Sequence, residues 1–165
     1  MSGQSIPSGP PGAGVVSDEG ERAAASTAGP APGRAARRTA RRAAYFYTVL
    51  QVVPHVERGE RFNAGVVLFS RARRFLGVRT SLDSRKLAAL APGCDGTILR
   101  RQLQAMEAVA SGDEDGGPVA RLDQAERFHW LTSPSSTMIQ PSAVHTGLTD
   151  DPAATLERLF RDLVE

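Results

Sequence analysis

"YFYTVLQVVPHVERGERFNAGVVLFSRARRFLGVR" (residues 45–79) decides the fold. Residues 45–53 are rich in aromatic and β-branched side chains and are apolar at both odd and even positions. That pattern predicts a strand in the middle of a sheet. Pro54 ends it, because proline has no N–H for the ladder. Residues 64–70 read as a second strand of the same kind. Gly65 within it predicts a bulge or the close approach of another backbone. Residues 73–79 read as a third strand. So few residues separate it from the second that an antiparallel hairpin is required. Charge at both of its ends predicts a more exposed position.

Beyond this sheet the apolar period changes from 2 to 3.6. A helix is expected from Asp83, a good N-cap, to just before Pro92 and Gly93. Asp95 caps the next, whose stripe is Leu99, Leu103, Met106 and Ala110, and Gly112 suits its end. Residues 113–117, "DEDGG", read as an acidic loop. Asp123 and Glu126 are spaced as a capping box for a short third helix, which Pro134 terminates. Residues 136–139, "STMI", are β-like and form the expected fourth strand. Asp151 and Pro152 open the last helix, with Leu156, Leu159, Phe160 and Leu163 on one face. The expected order is β-β-β-α-α-α-β-α. It predicts an α+β domain, a mostly antiparallel sheet of about four strands with helices packed on one face.

Residues 1–43 are Gly-, Pro-, Ala- and Arg-rich with almost no large apolar side chain. They are expected to be a disordered tail before a single domain over residues 44–165. Within the tail, Arg34, Arg37, Arg38, Arg41 and Arg42 recur at helical spacing and would share one face. The basic pI of about 9.2 belongs to this tail. Residues 1–44 hold six Arg (22, 34, 37, 38, 41 and 42) against Asp18, Glu19 and Glu21. That leaves 14 basic and 15 acidic groups of the chain's 20 and 18 for the rest. By charge, nucleic acid is an expected partner only through the segment Arg34 to Arg42. No run of apolar residues is long enough to span a membrane, and the start lacks a signal-peptide pattern. The single Cys, Cys94, excludes an internal disulfide and a multi-Cys metal site. A soluble cytoplasmic protein is expected.

Two segments carry the polar chemistry. Residues 54–63, "PHVERGERFN", place Arg58, Glu60 and Asn63 around Gly59. They read either as a polar hairpin loop, in which Asn63 closes a turn, or as a ligand loop. In the second case Arg58 binds an anion and Glu60 orients it. Residues 127–147, "RFHWLTSPSSTMIQPSAVHTG", contain the only Trp and two of the three His. His129 and His145 lack any metal-site spacing, so no metal and no other cofactor are expected. A G-x-S-x-G elbow is absent as well. In the structural reading, Phe128 and Trp130 anchor the segment to the core and its hydroxyls satisfy backbone groups. In the binding reading, Arg127, His129, Ser136, Thr137, His145 and Thr146 present donors from a held-down loop, with Gly147 a flexible neighbour.

From about residue 45 to the C-terminus the chain resembles a bacterial family called domain of unknown function 3037. The segments that carry the likeness are "YTVLQVVP", "ERGERFNAGVVLFS", "RFHWLTSPSSTMIQPSAVHTG" and "DDPAATLERLF". Relatives tend to read "RGEFVN" and "TAPRST" where this chain has "RGERFN" and "TSPSST". An Arg of the family pattern is therefore Ser135 here, which weakens anion binding by that loop. The resemblance implies no assigned activity. It implies a HipA-like serine/threonine kinase as partner, through gene neighbourhood. Two readings follow: a non-enzymatic accessory module that binds a protein partner, or a small enzyme or ligand-binding domain for a phosphorylated or nucleic-acid substrate. The second requires Arg58, Glu60, His129 and His145 to converge.

Overall fold

The computed structural model describes residues 42–165. The expected tail lies outside the described residues, apart from Arg42 and Ala43. Five antiparallel strands form one sheet: β1 (Ala43–Val52), β2 (Phe62–Ser70), β3 (Phe75–Thr80), β4 (Ile139–Pro141) and β5 (His145–Thr149). The spatial order is β3-β2-β1, and β4 and β5 share the far side of β1. β4 pairs with the C-terminal part of β1 and β5 with its N-terminal part. The helices are α1 (Ser84–Leu90), α2 (Gly96–Ser111), α3 (Gly117–Ala120), α4 (Gln124–Thr132) and α5 (Pro152–Leu163). The α+β class and the antiparallel sheet agree with the sequence reading.

The caps act as expected. Asp83 accepts from the N–H groups of Arg85 and Lys86, and Asp95 from that of Thr97. These bonds favour the ionised carboxylates and hold both groups below the usual aspartate range. Asp123 and Glu126 form the full capping box of α4. Gly112 ends α2 in the left-handed region. Asp151 caps α5 by accepting from the Ala154 N–H.

Gly65 does both things foreseen for it. Opposite β2, Leu50 pairs with Gly65 but Gln51 pairs with Asn63, so Ala64 is an extra residue on β2. A Cβ on Gly65 would stand 2.8 Å from the Arg79 carbonyl oxygen. The bulge also reverses which face successive β2 side chains meet. Phe62 and Ala64 before it, and Val67 and Phe69 after it, enter one core with residues of α1, α2 and α4. Val66 and Leu68 enter a second core with Leu156, Leu159 and Phe160 of α5. Helices therefore cover both faces of the sheet, and the expected one-sided packing is corrected. Strands apolar on both faces need cover on both faces.

The end of the chain differs from the expected fourth strand at residues 136–139. Ser135 and Thr137 bend the backbone by donating their hydroxyls to the Ile139 carbonyl. Pairing with β1 begins only at Ile139. The fifth strand, "HTGLT", lacks the apolar alternation of a recognisable strand. Its register is set by β1, and Gly147 leaves room for the Tyr45 ring, which would lie 2.5 Å from a Cβ there.

Candidate functional site

The segment that follows the α4 capping box is fastened from its first residue. Arg127 is buried, and its Nη1 donates to the carbonyls of Val109 (3.1 Å) and Ala110 (2.9 Å) in the last turn of α2. Those carbonyls have no partner within their own helix and lie at its negative end. Arg127, a binding candidate by sequence, is thus a clamp between α2 and α4. Phe128 is buried in the core. It stacks on Phe69 of β2 with centroids 5.0 Å apart and rings 23° from parallel.

Trp130 is not an anchor. Two residues beyond Phe128 on a helix, it points to the opposite side, and 48% of it is exposed. Together with Met106, Leu131, Pro134 and Pro141 it lines an apolar cleft of about 280 Å³. Ser133, Ser135 and Thr137 complete the wall. Their hydroxyls are turned back on the protein: Ser133 donates to the His129 carbonyl, and Ser135 and Thr137 to that of Ile139. Beyond the cleft, Ser142 is also tied inward. Its Oγ accepts from the Val49 N–H, and its own N–H donates to the Val49 carbonyl. The rim offers hydrogen-bonding edges on a fixed backbone rather than a ring of free donors. Ser136 is exposed at the tip of the loop. Met106 was legible only as the edge of the α2 stripe. Its place in the cleft depends on how α4 crosses α2.

The remaining candidates are dispersed. His129 is exposed on α4. His145 lies on β5 and packs its ring on Tyr47, with centroids 5.1 Å apart, and Thr146 is exposed opposite Phe46. In the loop 54–63, Gly59 adopts φ +70°, as a tight polar turn requires. The Arg58 guanidinium is paired with Glu60 at 2.9 Å, in solvent. Asn63 is structural: its amide donates to the Leu163 carbonyl at the end of α5, and its oxygen accepts from Gln51. His145 sits opposite Tyr47, five residues before the end of β1 at Val52, where the loop leaves. That is about 17 Å along a strand. The contacts of Arg58 and His145 are thus with different neighbours, Glu60 and Tyr47. Among the described residues no group of three or more His, Cys, Asp or Glu is placed to hold a metal ion, and no helix is long and apolar enough to cross a membrane.

The class defined by these features is an α+β domain with a two-sided sheet and an aromatic cleft beside its irregular segment. Residues 47–164 match the family described as a protein of unknown function, DUF3037, and the chain belongs to that family. No curated protein and no solved structure matches the chain.

Proposed function

We propose that this protein is a non-enzymatic accessory module of the bacterial cytoplasm that docks a protein partner in the Trp130 cleft. One observation carries the reading: the chain's single Trp is half exposed at the rim of an apolar cleft whose loop is fastened to the fold. A large aromatic group on a rigid base loses little entropy when a partner covers it, and such residues dominate binding at protein interfaces. The cleft is large enough for one or two apolar side chains, and the hydroxyl rim supplies polar edges around them. A HipA-like serine/threonine kinase, which the family resemblance implies, is the partner to test first. The enzyme reading needs Arg58, Glu60, His129 and His145 around a common point. Their placement on separate elements speaks for the binding module.

Because Trp130 is the only Trp, its fluorescence reports on the site directly. Titration with a purified HipA-like serine/threonine kinase is expected to shift the emission to shorter wavelength and shield it from a soluble quencher. Trp130→Ala is expected to weaken binding at least about tenfold, the scale of an interface hot spot. Equal affinity of the variant and the parent protein would overturn the assignment of the site.

A further inference from the structure

The sheet has one edge at β3 and another shared by β4 and β5. Edges left open pair with other chains, and charges, prolines, bulges or a covering element prevent this. β3 is guarded: the Thr80 N–H donates to the Glu107 carboxylate at 2.9 Å, and α2 packs alongside. β4 ends at Pro141, which has no N–H to offer. From Leu50 to Tyr47 is three steps along β1, but from Pro141 to His145 is four, so a bulge follows β4. β5 has no such device. Residues 143–149, "AVHTGLT", contain no Lys, Arg, Asp, Glu or Pro.

The backbone of β5 is unpaired on its outer side. Val49 of β1 turns its carbonyl toward this side of the sheet, where it accepts from the Ser142 N–H. Alternation along β1 turns Tyr47, Tyr45 and Ala43 the same way, toward His145, Gly147 and Thr149. Thr146 and Leu148 therefore point their N–H and C=O groups away from β1, and no described group bonds to them. The sheet face beside this edge is uncovered as well. Phe46 pairs with Thr146 and Ala44 with Leu148, so these four side chains share a face. All four are exposed, Leu148 to 58%. Farther along the same face, Phe69, Val67 and Leu50 are buried in the core that α1, α2 and α4 cover.

We propose that β5 pairs antiparallel with β5 of a second copy of this chain, across a two-fold axis at Gly147. Thr146 of each copy then lies opposite Leu148 of the other, and the outward N–H and C=O groups of both are satisfied. Gly147 meets its own copy at the axis, and the Tyr45 ring already fills the space a side chain there would take. Charge selects a second copy over an unlike strand. A strand that pairs with itself sets each charge near its own like, and β5 carries no Asp, Glu, Lys or Arg to repel. Leu148 of each copy also extends the strip of Thr146 and Phe46 on the other, which removes apolar surface from water. The interface is small beside the ~800 Å² per partner of a standard one, so a dissociation constant of about 10–100 μM is expected. None of these residues lines the Trp130 cleft, which stays open in the dimer.

The test is sedimentation equilibrium of the full chain, from well below that concentration range to well above it. The mass should rise from 17.5 kDa toward twice that value. Leu148→Lys puts an ammonium group on the pairing edge and should hold the chain at the monomer mass throughout. Its melting temperature in dilute solution should equal that of the parent, since the Leu148 side chain lies in solvent. Thr146→Lys combined with Leu148→Glu sets opposite charges across the two-fold at both ends, and should restore the dimer. Trp130→Ala should dimerise as the parent does. The proposal is overturned if the parent chain stays monomeric at the highest concentration, or if Leu148→Lys still dimerises. It is equally overturned if the combined variant remains monomeric, or if Trp130→Ala abolishes the dimer.

Discussion

In the loop 54–63 the polar side chains meet within the loop and in water: Arg58 pairs with Glu60, His55 approaches Glu57 at 4.0 Å, and Arg61 donates to the Gly59 carbonyl. In the stretch 127–147 the polar groups meet the backbone of the protein instead. Arg127 caps α2, Ser133 closes α4, and Ser135, Thr137 and Ser142 bind main-chain carbonyls or amides. The two segments look alike as lists of polar residues. They differ in what those residues fasten, and so in what is left over for a partner. The first leaves solvated charge on a surface turn. The second leaves an aromatic side chain and an apolar cleft on a rigid support. Rigid support is what a recognition surface needs, because it lowers the entropy lost on binding.

The comparison breaks most easily at the pair Phe128 and Trp130. Phe128→Ala removes a buried ring stacked on Phe69 and is expected to cost about 3–5 kcal/mol of stability. Trp130→Ala, at an exposed position, is expected to cost under about 1 kcal/mol. Urea unfolding of both variants measures the difference, and equal losses would place Trp130 in the core after all.

Arg127→Ala comes next. It removes two charge-assisted hydrogen bonds from the end of α2, with an expected loss of roughly 2–3 kcal/mol. If stability is unchanged but partner capture fails, Arg127 belongs to the binding surface and the fastened-segment description is wrong. The smallest effect is expected in the other loop. Arg58→Ala and Glu60→Ala, singly or together, should each change stability by under about 1 kcal/mol, because the pair is solvent-exposed. A larger loss, persisting in high salt, would show that the loop is held by that pair.

Much of the fold is legible in residues 45–111 and 123–163, because its signals are local. The strands show in runs of β-branched and aromatic residues. The helix starts show in Asp83, Asp95, Asp123 and Asp151, each an acceptor within reach of its own first turn. The site was legible only in outline. The stretch 127–147 stood out by composition, yet Trp130 lies half exposed and Arg127 is buried. Hydrophobicity by itself predicts Trp inside and Arg outside. The direction of each side chain around α4 and the free carbonyls of α2 decide otherwise.

Local signals in the chain suffice for an α+β fold built on an antiparallel hairpin, since periodicity and caps act over a few residues. Tertiary structure alone decided three further things. The bulge at Ala64 and Gly65 put Phe62 and Ala64 into the same core as Val67 and Phe69. Pairing with β1, about a hundred residues away, made a strand of "HTGLT" and set Ser142 against Val49. The same hairpin laid the Arg71–Arg74 turn beside the start of β1. Each of these depends on contacts between residues far apart in the chain, whose free energy appears only once the sheet has closed and no local pattern can encode it.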